Sequence, residues 1–381
     1  MKFYNLDDLK NDSKKKNISV FLRCDLNITD TDFTRVELSM PTINYLLSIK
    51  NISKLIICTH LGRPNGKFSK KLSVKNLLLP ILQTKIKNKI QYINLGNDLD
   101  LSLLNSESDV KQVFLLENIR FDNREILNSP KLVKLISSFS DVFVNDAFGT
   151  SHRKHASVYG ISKAIKSYAG LLLEKETQLI DDLFQKQISS STLIIGGAKI
   201  DDKAGVMMNL LGKVDNIIVG GGMVSNFLLN KFPGSVDTNV LELNRDKFII
   251  PEDLLISHKF QPGSQLTLIK SSNYDQNTFI VDIGPKSSKR FDQVIQSSKL
   301  IIWNGSMGVF EWKGAEKGTL SLINSLESNY DAIKYAGGGS TIEAINNYGL
   351  KESFTHISSG GGAFLELLES GNLPALENLK Y

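Results

Sequence analysis

The chain predicts an α/β protein, two doubly wound parallel-sheet domains of Rossmann-like type joined by a helix and a hinge. Short β-branched runs, apolar on both faces, alternate with longer stretches of helical periodicity, the pattern of buried parallel strands and their crossover helices. At 381 residues the chain is long enough for two domains, each burying its own core. Polar residues and glycines cluster after the strand-like runs, where ligands bind in open α/β sheets.

In chain order, strands are expected at Ile18 to Leu22, Lys54 to Thr59, Val113 to Leu116 and Asp141 to Val144. The second half repeats the pattern at Thr192 to Ile195, Asn216 to Val219, Thr278 to Val281, Leu300 to Trp303 and Phe354 to Ile357. Helical periodicity marks Met40 to Ile49, Pro130 to Ser138, Glu174 to Phe184 and Ile342 to Tyr348, and Leu171 to Phe184 reads as one helix able to join the halves. The boundary falls at Ala164 to Gly170. The expected division is residues 1–168, residues 169–363, and a C-terminal segment, 364–381, packing back toward the first domain.

Composition removes several function classes. The net charge of +5 comes from lysines spread along the chain, which argues against a nucleic-acid surface. No run of about 18 apolar residues is present to cross a membrane, and the opening MKFYNLDD is acidic where a signal peptide is basic. Cys24 and Cys58, the only cysteines, lie in apolar runs without metal-ligand spacing. The expectation is a cytoplasmic, monomeric protein with small-molecule partners.

Charge placement is more informative. Arginine is scarce, eight against thirty-seven lysines, yet six of the eight fall in the first 153 residues. Arg23, Arg35, Arg63, Arg120 and Arg153 keep company with Asp25, Asn27, His60, Glu117, Asn118 and His152 at strand ends. Planar bidentate cations so placed suit the grip of an oxyanion. The second half carries glycine clusters at Gly196-Gly197, Gly220 to Gly222, Gly337 to Gly339 and Gly360 to Gly362, each closing an apolar run. Glycine lets backbone N–H groups approach an anion, and a following helix adds its amino terminus, as Ala363 to Glu369 does. Neither G-x-G-x-x-G nor the P-loop signature occurs, so an unrelated nucleotide enzyme of those types is set aside.

These residues closely resemble one family. Arg23-Cys24-Asp25-Leu26-Asn27, Thr34-Arg35 with Pro41-Thr42, His60-Leu61-Gly62-Arg63-Pro64, Leu116 to Phe121 and Asn145 to Arg153 occur in the order seen in phosphoglycerate kinases. Gly196 to Lys199, Asp202-Lys203, Gly220 to Met223, Asp282 to Pro285, Trp303 to Gly305, Met307 to Glu311 and Ser359 to Ala363 continue it, so the likeness runs from about residue 18 to 370. The resemblance implies reversible phosphoryl transfer between 1,3-bisphosphoglycerate and MgADP, giving 3-phosphoglycerate and MgATP. It implies that the first half binds the phosphoglycerate through Asp25, Leu26, Asn27, Arg35, His60, Leu61, Gly62, Arg63, Arg120 and Arg153. The nucleotide then falls to Gly197, Ala198, Lys199, Lys203, Gly221, Gly222, Gly284, Asn304, Glu311, Gly338, Gly339, Ser340, Thr341, Gly360, Gly361 and Gly362. Arg35, Lys199 and Lys203 are the implied catalytic cations, and Gly221, Gly222 and Gly284 the implied walls of the adenine pocket.

The chain departs from that pattern at Ser340, where the family has the aspartate that reaches magnesium, and at Ser306, where it has proline. No direct protein ligand for Mg2+ is therefore assigned, and a catalytically silent binder of the same ligands stands as the alternative. The segment Phe232 to Pro251 looks short, so a trimmed surface helix is expected. His152 and His155 read as structural, because the chemistry needs no general base.

Overall fold

The computed structural model describes residues 2–12, 17–28, 33–94, 104, 110–184 and 188–380. The chain divides into two compact units, residues 1–178 with 372–381, and residues 179–371.

In the first unit, strands β1 (Ile18–Cys24), β2 (Ile52–Cys58), β3 (Ile90–Ile93), β4 (Gln112–Leu116), β5 (Val142–Asp146) and β6 (Lys166–Ala169) form a sheet in the order β3-β4-β2-β1-β5-β6. Every pairing in it is parallel. The continuous apolar runs are explained by burial on both faces. Val20, Leu22, Leu55, Ile57, Val113 and Leu115 point into one core layer. Phe21, Ile56, Cys58, Phe114, Leu116 and Phe143, one residue out of phase, fill the other. Removing one such ring, as in Phe114→Ala, costs about 3–5 kcal/mol.

The helix expected from Met40 begins earlier, spanning Thr34–Ser48 with Pro41 inside it. Pro41 reads as a first-turn proline because that position tolerates the missing N–H. Burial of Val36, Ser39, Met40, Ile43 and Leu46 along one side holds the extra turn despite it. The last residues return to this unit: Phe3 bridges Lys380, and the N–H of Ala375 donates to the Ser151 carbonyl at 3.1 Å.

In the second unit, β7 (Ser191–Ile195), β8 (Asn216–Val219), β9 (Phe248–Ile249), β13 (Leu300–Asn304), β14 (Ile333–Ala336) and β15 (His356–Ile357) form another parallel sheet, ordered β15-β14-β13-β7-β8-β9. The run Thr278 to Val281, expected as a further parallel strand, instead forms β12 (Phe279–Ile283) in an antiparallel sheet with β10 (Asp253–Ser257) and β11 (Thr267–Lys270). An apolar run does not encode its partner's direction, and two neighbours with weak strand signals decided it. Within Phe232 to Pro251 lies a helix of 6 residues, Thr238–Leu243, its Asp237 cap accepting from the N–H groups of Asn239 and Val240. Leu171–Phe184 is one helix.

Candidate active site

At the carboxyl end of the first unit's sheet, the loops after β1, β2 and β4 interlock. Asn27 Oδ1 accepts the Gly62 N–H at 2.8 Å, and Arg120 Nη1 donates to the Gly62 carbonyl at 2.7 Å. The Leu26 N–H donates to Thr59 Oγ1 at 2.9 Å, and Asn118 Nδ2 donates to the Leu61 carbonyl at 2.7 Å. The predicted residues Asp25, Leu26, Asn27, His60, Leu61, Gly62 and Arg120 are thus brought together, and Arg63 stands exposed on the same loop.

The electrostatics of this cluster are those of a site prepared for an anion. Arg120 is buried, and its pKa is lowered to about 10 by burial and then by Arg23 and Arg153. Burial and the charge of Arg63 lower Arg153 as well. Cations that depress one another are relieved by a bound anion. The carboxylate present is already engaged on one side: Asp25 Oδ2 lies 2.5 Å from Arg35 Nη1. Burial raises the Asp25 pKa, but the charges beside it, Arg35 first, hold it below its ordinary value. Its Oδ1 is buried and has no hydrogen-bond partner, an acceptor without a donor. His152 accepts from Arg153 Nε at 3.1 Å, and burial lowers both His152 and His155 to about 4, so neither ring carries a charge at neutral pH.

In the second unit the glycine clusters gather at the ends of β7, β8, β13, β14 and β15. Two glycines at these tips are shaped by close approach. Gly305 has φ +100°, and a Cβ there would sit 2.0 Å from the Gly196 carbonyl oxygen; at Gly221, φ +67°, it would meet the Gly197 oxygen at 2.5 Å. Asn304, fully buried, donates from Nδ2 to the Gly337 carbonyl at 2.7 Å and accepts from Lys203 Nζ on its other side. The amide orientation is fixed and the ammonium aimed by it. Burial lowers the Lys203 pKa, partly offset by Asp202. The Gly305 N–H is held by Thr341 Oγ1 at 2.7 Å. Lys199 is exposed on the loop that follows β7, and Ser340 is half-buried in the first turn of the helix Gly339–Tyr348. The helix Gly361–Ser370 opens on Gly360 as its cap.

Beside these tips lies a cavity of about 510 Å³ lined by Gly197, Ala198, Gly221, Gly222, Ser306 and Glu311. Phe260, Tyr274, Phe279 and Ile280 supply aromatic and apolar wall. The sequence reading assigns none of these four to a site: Phe279 and Ile280 read only as part of a strand, and Phe260 and Tyr274 lie in the connections of the antiparallel sheet. Gly284 is corrected: it lines a separate cavity of about 910 Å³ with Asp282, Lys289 and Lys317, and a Cβ on it would sit 2.3 Å from the Asp253 carboxyl carbon. It follows β12, whereas Phe279 and Ile280 at the start of that strand line the first cavity with Gly221 and Gly222.

A family model described as phosphoglycerate kinase matches residues 7–371. The chain belongs to the phosphoglycerate kinase family. A relative named phosphoglycerate kinase from Herpetosiphon aurantiacus is 38% identical over 363 residues, covering 92% of this chain and 91% of its own. Another of that name, from Finegoldia magna, is 36% identical with 98% of each chain covered. Among solved structures, a phosphoglycerate kinase from Coxiella burnetii superposes with a TM-score of 0.84 at 29% identity, over 99% of this chain and 98% of that one. The enzyme from Pyrococcus horikoshii gives 0.79 at 26%, with the same coverage. Family membership agrees with the two parallel-sheet units and with the position of both residue sets at strand ends.

Proposed function

We propose that this chain catalyses reversible transfer of the acyl phosphate of 1,3-bisphosphoglycerate to MgADP, with the phosphoglycerate on the first unit and the nucleotide on the second. The observation that carries the substrate assignment is the orphaned Asp25 Oδ1 among Arg35, Arg120 and His60. A buried acceptor lacking a donor suits the glycerate hydroxyl, and the crowded cations suit the phosphate that is not transferred. Arg63, Arg120, Arg153 and His60 grip that phosphate, and Asp25 and Asn27 hold the hydroxyl and carboxyl region. Leu26, Leu61 and Gly62 shape its wall.

On the second unit, Gly197, Ala198, Gly221 and Gly222 enclose the base and Glu311 meets the ribose. Lys199, Lys203 and Asn304 meet the phosphates, with the helix starts at Gly338, Gly339, Ser340, Thr341 and at Gly360 to Gly362. Magnesium enters as part of the nucleotide substrate. Among the described residues no group of three or more His, Cys, Asp or Glu could hold a metal, and Ser340 offers a hydroxyl where a carboxylate would add charge. That donor set fits a cation carried by phosphates and water.

Chemistry follows from positioning. In the reverse direction a carboxylate oxygen of 3-phosphoglycerate attacks the γ-phosphorus of ATP, the bond to the bridging oxygen breaks, and ADP leaves with the electron pair. Both nucleophiles are ionised at neutral pH, so no base is required. Arg35, Lys203, magnesium and the N–H groups of Gly360 to Gly362 neutralise the three equatorial oxygens. Bending where the chain passes between the units, by residues 178–179 and 371–372 and not within the paired strand that follows Ala164, brings the substrates together and excludes water that would hydrolyse the acyl phosphate. The enzyme works as a cytoplasmic monomer in glycolysis. Titration calorimetry of the whole chain tests the assignment: 3-phosphoglycerate alone and MgADP alone should each bind, and failure of 3-phosphoglycerate to bind would sink it.

A further inference from the structure

Strand β1 puts Arg23 on the same side as Phe21, under the sheet's second core layer, and the guanidinium is fully buried. It therefore cannot meet a ligand arriving from solvent, unlike Arg63 beside it in the cluster. A buried cation costs free energy unless its donors are all used, so their targets define its role. Nε donates to Ser157 Oγ at 2.9 Å, Nη1 donates to the Cys24 carbonyl, and Nη2 lies 3.2 Å from His60 Nδ1. Ser157 is itself held by the buried Glu125, which accepts its N–H at 2.8 Å and its hydroxyl at 2.7 Å. The hydroxyl proton goes to Glu125, the oxygen lone pair to Arg23, and the chain of donors ends at His60.

A guanidinium has donors only, so Nδ1 of His60 must accept and carries no proton. The competing partner, Asp25 Oδ1, is 3.8 Å away, beyond hydrogen-bond range. A neutral imidazole with a bare Nδ1 holds its proton on Nε2, which makes no hydrogen bond to any described residue. Of the groups facing the ring, Asp25 alone favours a charge on it; Arg23, Arg120 and Arg35 all oppose one.

We propose that Arg23 is a positioning residue: held by the Ser157–Glu125 relay, it locks His60 in the Nε2–H tautomer, so that the ring offers the bound substrate a neutral donor. This rests on reading the cluster as the phosphoglycerate site. A donor without charge adds a hydrogen bond where another cation would repel Arg120, and it keeps the ring's own titration out of substrate affinity near neutrality.

Nitrogen NMR of the 15N-labelled whole chain tests this without substrate, with His60→Gln assigning the resonance. The expected wild-type spectrum has a bare Nδ1 and a protonated Nε2, unchanged between about pH 5 and 8. Arg23→Met should mix the tautomers or admit a second proton in that range, and should raise KM for 3-phosphoglycerate about tenfold, one hydrogen bond's worth, while KM for MgATP stays put. Ser157→Ala should move both readouts the same way by less. A wild-type ring protonated at Nδ1, or an Arg23→Met ring with its tautomer intact, overturns the proposal, and the wild-type spectrum decides alone if Arg23→Met does not fold. If the lock is seen but wild type fails to bind 3-phosphoglycerate, the tautomer assignment stands and the substrate reading falls.

Discussion

Arg35 and Asp25 form an ion pair of 2.5 Å in which only one carboxylate oxygen is used, and the buried Oδ1 of Asp25 has no partner. The pair stores a cation beside an acceptor that still needs a donor. On the proposed reading, substrate satisfies that acceptor and Arg35, about a third exposed, turns toward the transferring oxygens. Arg35→Ala should therefore lower kcat by on the order of a hundredfold, the loss typical of a positioned cation or donor. Steady-state kinetics with saturating substrates reads this, and near-normal turnover would remove Arg35 from the transition state.

Lys203 and Arg63 should separate cleanly in the same kinetics. Lys203, aimed by Asn304, is proposed to act on charge that develops during transfer, so Lys203→Ala is expected to cut kcat about a hundredfold or more. Arg63, exposed on its loop, is proposed to grip a phosphate that does not change, so Arg63→Ala should mainly raise KM for phosphoglycerate. Normal kcat in Lys203→Ala contradicts the assignment.

Ser340 decides how the metal is held. Adding a carboxylate beside a dication strengthens binding, while the nucleotide's phosphates already supply most of the local charge. Calorimetry should show Ser340→Asp binding MgADP more tightly, with phosphoglycerate affinity unchanged. Equal MgADP affinity would show that another group holds the metal.

Asp146 gives a stability signature. Burial raises its carboxyl to about 7, although the N–H of Leu172 donates to it at 2.9 Å and that of Leu173 at 3.3 Å. The unfolded chain ionises this group near about pH 4 while the fold keeps it protonated, so its stabilising contribution is present below that pH and is lost as pH rises through about 7. The difference in Tm between wild type and Asp146→Asn should therefore fall by a few degrees between about pH 4 and 7 and then level off. A pH-independent difference would mean that Asp146 is already ionised in the fold.

The sequence made legible whatever physics repeats locally. β2 and β4 stand out because both faces are buried, which leaves unbroken apolar runs. β14 does not, because Lys334 interrupts it, and nothing in the sequence marks that lysine as buried. The cations of the first unit were visible from their place at strand ends, but nothing in the spacing separates Arg23, which is buried under the site, from Arg63, which stands over it. Gly284 is assigned through the family resemblance and not from spacing; the run it follows belongs to the antiparallel sheet, and it lines the second cavity.

The central claim is transfer between a carboxylate and a nucleotide phosphate, and turnover measures it directly. Wild-type protein supplied with 3-phosphoglycerate, ATP and magnesium, with 1,3-bisphosphoglycerate removed by a coupled reduction, should produce ADP only when all three are present. Turnover should fall sharply in both Arg35→Ala and Lys203→Ala. Binding of both substrates by wild type without any ADP formation would contradict the account and mark the chain as a silent binder.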